Sequence, residues 1–202
     1  MKSCLRYNIV TEKWQLLTPM LFEIMEGAAC SINEYQIVVA GGVNSQFKCS
    51  DILQVYDIRE NQWRLYDIYL STPRRRVTMI STQKDRVMIL GGVESDGNES
   101  ATVEEIDFIK RNLVALPNLK QSRAGPSAFQ VNDAIYVFGG AQTFGKEGAE
   151  EDEMIIGEKF AVRENKWREV LSRAANSFAA KQAMQRLMRG GTVFGPVHLL
   201  YE

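Results

Sequence analysis

Short apolar runs closed by a glycine pair recur along the chain. Ile37-Val38-Val39-Ala40 leads into Gly41-Gly42, Val87-Met88-Ile89-Leu90 into Gly91-Gly92, and Ala134-Ile135-Tyr136-Val137-Phe138 into Gly139-Gly140. Runs this short, bounded by polar turns, read as β-strands rather than helices. Another strand-length run precedes each one: Gly27–Ile32, Val77–Thr82 and Ser127–Val131, joined to it by turns at Asn33-Glu34, Lys84-Asp85 and Asn132-Asp133. Asn in such a turn tolerates a positive φ better than most residues. A polar loop follows each glycine pair, and then an outer strand pair containing Tyr56 and Trp63, Ile106 and Leu113, or Phe160 and Trp167. At the N-terminus Leu5–Val10 and Trp14–Leu17 form such an outer pair about a turn at Thr11-Glu12-Lys13.

Two spacings organise these strands. The interval from the first large residue to the second is seven in each outer pair, from Tyr7 to Trp14, Tyr56 to Trp63, Ile106 to Leu113 and Phe160 to Trp167. A fixed interval is expected where a hairpin must place both side chains in one layer, because strand alternation fixes the face. The second spacing is the repeat itself. Glycine pairs begin at 41, 91, 139 and 190, and a period near 50 residues is that of one propeller blade. The sequence therefore predicts an all-β, β-propeller chain. Full four-stranded blades are expected at 27–66, 77–116 and 126–170, an outer half-blade at 1–17 and a degenerate half-blade at 177–202. Trp14, Trp63 and Trp167 are expected to be buried between blades. The glycines are read as structural, with no phosphate-loop pattern and no helix after them.

Apolar strand, Gly-Gly, then Tyr and Trp: this order resembles the Kelch repeat over nearly the whole chain, weakening after about Leu171. The resemblance implies a Kelch-type propeller and, for most of its members, a protein-interaction module, including adaptors that present substrates to ubiquitin ligases. It gives Pro73-Arg74 a structural place, since many Kelch repeats carry Pro-Arg there. The chain has no room for the BTB and BACK domains of some Kelch proteins. Some Kelch-type propellers are enzymes, acting on sugars or carrying a copper site of several His and Tyr ligands. Nothing here corresponds to that copper site, and a sugar or small-molecule enzyme working through the central channel is the alternative reading.

The end of the chain decides how the ring closes. Beyond Trp167 the glycine pair comes early and Arg189 stands where the earlier strands are apolar. Either the ends share a blade in a small four-bladed ring, or the chain is part of a longer propeller. The second is expected, with open sheet edges at 1–17 and 184–191 that invite self-association.

Composition narrows the chemistry. Among 202 residues, 24 Lys and Arg balance 25 Asp and Glu, so no global field favours nucleic acid or an anionic membrane. The one His, His198, supports neither a multi-His metal site nor a catalytic triad. No cofactor is expected, and no catalysis. Cys4, Cys30 and Cys49 follow no metal spacing; Cys4 and Cys30 sit in apolar runs and read as buried thiols, which favours a reducing, cytoplasmic setting. No run has signal-peptide or membrane-span length, so the Asn98-Glu99-Ser100 glycosylation pattern carries little weight.

In a four-stranded antiparallel blade, the loop after the second strand and the connection between blades leave on the same face. That face gathers Val43–Ser50, Val93–Ala101 and Ala141–Glu153 with the connections Thr72–Arg76 and Asn118–Gly125. Arg74, Arg75, Arg76 and Arg123 are its candidate cations, and Asn44, Gln46, Glu94 and Asp96 its candidate polar partners. Arg75 and Arg76 are favoured, since Arg74 has its structural role. A protein or peptide is the expected partner. The opposite face, with tight turns near Asn33, Asn61, Asn132 and Asn165, is expected to offer less to grip.

Overall fold

The computed structural model describes residues 2–141 and 155–172. The predicted segment 177–202 and residues 142–153 of the third loop lie outside the described residues. Strands β1 (Cys4–Asn8) and β2 (Lys13–Leu17) form a hairpin of their own. The first four-stranded sheet is β3 (Ala28–Ser31), β4 (Gln36–Ala40), β5 (Ile52–Asp57) and β6 (Gln62–Tyr69). A short strand β7 (Arg74–Arg75) precedes the second sheet. That sheet comprises β8 (Thr78–Gln83), β9 (Arg86–Leu90), β11 (Val103–Asp107) and β12 (Asn112–Leu116), and β10 (Val93–Glu94) lies in its loop. The third sheet is β13 (Ser127–Val131), β14 (Ala134–Phe138), β15 (Ile155–Ala161) and β16 (Lys166–Ser172).

All pairings are antiparallel and follow chain order within each sheet. The described chain is all-β, without an α-helix, in an arrangement consistent with a β-propeller-like fold. Its innermost strands β3, β8 and β13 lie side by side in succession. The outer-pair spacing has the meaning expected of it. Tyr7 faces Trp14, Tyr56 faces Trp63, Ile106 faces Leu113 and Phe160 faces Trp167 directly across their ladders. The three aromatic pairs are tilted, with centroids 5.0–5.1 Å apart.

Two apolar clusters glue the sheets together. Val38, Ala40 and Val55 of the first sheet meet Val87, Ile89 and Ile106 of the second. Met88, Leu90 and Val103 of the second meet Ile135, Val137, Phe160 and Trp167 of the third. Strand β9 thus sends Val87 and Ile89 to one neighbour and Met88 and Leu90 to the other, the purpose of its period-two pattern. The glycine pairs let the connections come close: Gly42 has φ +88° and a Cβ there would sit 2.5 Å from the Met25 carbonyl oxygen.

The tryptophans do not share one environment. Trp167 is 2% exposed and donates its indole N–H to Pro117 O at 2.8 Å, at the end of the preceding sheet. Trp63 is half-buried and donates to Thr18 O, just past β2, at 3.0 Å. Trp14 is 67% exposed, against the expectation of burial. Trp63 and Trp167 each reach the end of the preceding outer pair, and Trp14 has no such described strand pair beside it. The cysteines also differ from expectation: Cys4 and Cys30 are half-buried rather than buried, and burial pushes the Cys30 thiol up from its ordinary value. Asn33 does not adopt a positive φ; the left-handed turn positions belong to Asn61, Asp85, Arg111, Asn132 and Asn165, among others.

Candidate functional site

The loop face is assembled by three equivalent bridges. Met25 pairs with Val43, Arg75 with Val93 and Ala124 with Ala141, so each connection lies beside the loop that follows the glycine pair. The next residue in each connection, Glu26, Arg76 or Gly125, has a left-handed backbone with φ between 51° and 63°. Their main chains link directly. Arg76 N–H donates to Glu26 O and Gly125 N–H donates to Arg76 O, each at 2.7 Å. Side chains at the innermost rim of this face are therefore fixed by sequence position: Glu26, Arg76, then none at Gly125.

Arg74 and Arg123 are not surface cations. Both are 0% exposed. Arg74 reaches down to Gly91 O at 3.0 Å, Thr102 O at 3.2 Å and the Glu104 carboxylate. Arg123 donates through Nε to Glu158 Oε1 at 3.2 Å and through Nη1 to Gly139 O at 2.7 Å. Burial pushes both guanidinium groups down from their ordinary values, opposed by the facing carboxylates. Their places among the partner-facing residues are corrected: the charges are consumed in holding each connection to the third strand of the next sheet. The structural role expected for Arg74 thus has a full counterpart at Arg123.

The first sheet shows the same joint without charge. Ile24 takes the position of Arg74 and Arg123, and Gln54 that of Glu104 and Glu158. Gln54 accepts from Phe22 N–H at 2.8 Å and donates to Phe22 O at 3.1 Å, with no cation to match. Its partners in the other sheets accept from Ser71 N–H at 3.0 Å and Lys120 N–H at 2.6 Å. Losing the guanidinium and the carboxylate together leaves no buried charge unpaired. Sequence reading missed Gln54, Glu104 and Glu158. A signal existed in the repeat: each stands two residues before the large residue of its strand, Tyr56, Ile106 or Phe160, and each is polar.

Arg75 and Arg76 are available. Arg75 is half-exposed and its Nη1 lies 2.7 Å from Glu26 Oε2, a carboxylate that sequence reading did not single out. Arg76 is exposed, with its guanidinium over Gly125 and no hydrogen bond or ion pair from it to another described residue. The remaining candidates divide. Asn44 accepts from Gln46 N–H at 2.9 Å and Lys48 N–H at 3.1 Å through one oxygen, so its side chain builds its own turn. Asp96 does the same with Asn98 N–H, at 2.9 Å, and that backbone donor, with the Asn98 side-chain amide, holds its carboxyl below the usual range. Gln46 is exposed at a loop tip, and Glu94 is half-buried beside Arg74. A hollow of about 320 Å³ lies beside the first loop, lined in part by Lys2, Glu23, Asn44, Lys48 and Asp51. The turn face is less featureless than expected: a groove of about 430 Å³ opens there between the second and third sheets.

Among the described residues no group of His, Cys, Asp and Glu could hold a metal ion, and no helix is long and apolar enough to cross a membrane.

Comparison with known proteins yields the fold alone. No protein-family model matches the chain, and no curated protein does. Among solved structures 181 chains match. One, described as "Structure of YjhT", superposes with a TM-score of 0.65 at 13% sequence identity. The match covers 81% of this chain and 57% of that one. The chain thus spans little more than half the length of that structural neighbour.

Proposed function

We propose that the chain is a Kelch-type propeller segment that works without catalysis, as a protein-interaction module presenting its loop face to an acidic protein or peptide. The observation that carries this reading is Arg76. It stands at a left-handed position that the third sheet fills with Gly125, where a side chain costs about 1 kcal/mol. That residue nevertheless puts an exposed guanidinium at the innermost rim of the face, beside the Arg75–Glu26 pair. A carboxylate-bearing segment can bind Arg76 directly and compete with Glu26 for Arg75.

The finer architecture belongs to the same proposal. The hairpin's uncovered Trp14 and the half-exposed ring row on the third sheet support a segment of a longer propeller over a closed ring of four blades. A substrate adaptor or scaffold is the role such a module fills. Three unpaired cysteines support a reducing, cytoplasmic setting.

The test is partner capture followed by charge reversal. With a partner in hand, Arg75→Glu together with Arg76→Glu is expected to weaken binding by about tenfold or more, with the loss larger at low salt. Binding that survives this reversal but is lost on altering the turns near Asn61 and Asn132 overturns the assignment.

A further inference from the structure

The seam between the second and third sheets is built differently from the seam between the first and second, and the repeat supplies the comparison. In the first seam Ile32 and Val55 are 2% and 9% exposed. The rings of Tyr66 and Phe108 close it, 4.9 Å apart, with Tyr66 Oη donating to Phe108 O at 3.0 Å. Asn33 Nδ2 crosses it to Asp85 Oδ1 at 2.7 Å. Strand registers give the counterparts in the second seam. Thr82 stands for Ile32, Glu105 for Val55, Arg86 for Gln36, Leu116 for Tyr66 and Val162 for Phe108. Two rings have become aliphatic and two apolar side chains polar.

These replacements open the groove of about 430 Å³ on the turn face. Thr82 Oγ1 donates to Glu105 Oε1 at 3.0 Å. Arg86 donates through Nη1 to Glu105 Oε2 at 3.3 Å and through Nη2 to Asp107 Oδ2 at 3.1 Å. Asp133, the counterpart of Asp85, turns outward to Arg163 at 2.7 Å instead of crossing the seam. A polar network inside a seam whose twin is apolar brings little net stability, because desolvation offsets its attraction. Its placement in an open groove points to recognition.

We propose that this groove is a binding site for the primary carboxamide of an Asn or Gln side chain presented by a peptide. A carboxamide offers an acceptor and a donor side by side. Arg86 and Glu105 offer the complementary donor and acceptor side by side, with Leu116 and Val162 for the methylenes. Charge works against other ligands. Arg86 and Arg163 are matched in the lining by Glu105 and Asp133, with Asp107 also on Arg86, so a carboxylate meets an excess of like charge and an ammonium must displace guanidinium groups from carboxylates already paired. The site is on the face opposite Arg76 and stands independently of the loop-face reading.

The test uses the full chain and a capped peptide, Gly-Ala-Gln-Ala-Gly with acetyl and methylamide ends. Twins carry Glu, Lys or norleucine in place of Gln. In two-dimensional amide spectra the Gln peptide is expected to shift resonances of residues 82–86, 105 and 130–133 saturably, and each twin at least fivefold more weakly. No saturable shift, or a Lys or Glu twin binding as well as Gln, overturns the proposal. So does glucose shifting the same resonances where the Gln peptide does not. The variant Thr82→Ile/Arg86→Gln/Glu105→Val carries the first seam's side chains at the three network positions and is expected to lose the Gln response while melting at the same temperature or higher. Glu105→Val alone is expected to lose it too. A large drop in melting temperature in both variants would mark the network as structural and sink the idea.

Discussion

Arg74 and Glu104 form an ion pair that water does not reach, with side chains 0% and 1% exposed, and the pair joins the connection before the second sheet to that sheet's third strand. Removing one member strands the other. Glu104→Gln is predicted to destabilise the chain by about 3–5 kcal/mol. Ile24 and Gln54 show how the same joint is made without charge, so Arg74→Ile combined with Glu104→Gln is predicted to recover at least half of that loss. Urea midpoints of the wild type, both single variants and the double variant check this. A double variant as unstable as the sum of its singles would refute the reciprocal arrangement.

The three tryptophans should separate by burial. Trp167→Ala is predicted to cost about 3–5 kcal/mol, the range for truncating a buried aromatic. Trp63→Ala should cost less and Trp14→Ala less than about 1 kcal/mol, as an exposed site. Equal losses at Trp14 and Trp167 in denaturant unfolding would show that something covers Trp14 in solution.

What covers it can be sought directly. Leu5, Tyr7, Trp14 and Leu16 share one face of the hairpin and are 43–71% exposed. On the third sheet Phe129, Tyr136 and Phe138 form a parallel row 5.6–6.4 Å apart, at positions whose counterparts Met88 and Leu90 are buried. Exposed apolar patches of this kind promote association. Light scattering of the isolated chain is predicted to show self-association that Trp14→Ser with Leu16→Ser reduces. A compact monomer unaffected by those changes would count against open faces.

Acid should loosen the outer turns. Asp57 accepts from Arg59 N–H at 2.9 Å and Glu60 N–H at 3.2 Å, and Asp107 from Ile109 N–H at 3.1 Å and Lys110 N–H at 2.9 Å. The Glu60 and Lys110 amides are the main cause holding the two carboxyls below the usual range. A folded value below the unfolded one, about 3.9, stabilises the fold fully above that pH. This stability is lost as pH falls through the folded values. Asp57→Asn with Asp107→Asn is predicted to flatten the decline below about pH 4, because Asn keeps the turn without titrating. An unchanged acid limb in pH-dependent unfolding would exclude these groups as its source.

Local rules made much of this chain legible. Strand alternation and the seven-residue interval specified which rings would face each other, because a hairpin in register leaves no other choice. The described glycine pairs announced left-handed backbone throughout and, at 41–42 and 91–92, close backbone approach that leaves no room for a side chain. Sequence also placed the loops and connections on one face, a consequence of antiparallel order alone. Burial of individual side chains needed the tertiary structure. Arg74, Arg75 and Arg76 are adjacent and chemically identical, yet the first is sealed under the connection, the second paired with Glu26 and the third open. Only the alternation of a short strand against the next sheet separates them. Trp14 carried the same signal as Trp167 and met the opposite environment, because burial depends on the neighbouring sheet and not on the repeat that contains the residue. The groove at Arg86 and Glu105 arises from substitutions on two sheets far apart in sequence, whose meeting only the packing of those sheets decides.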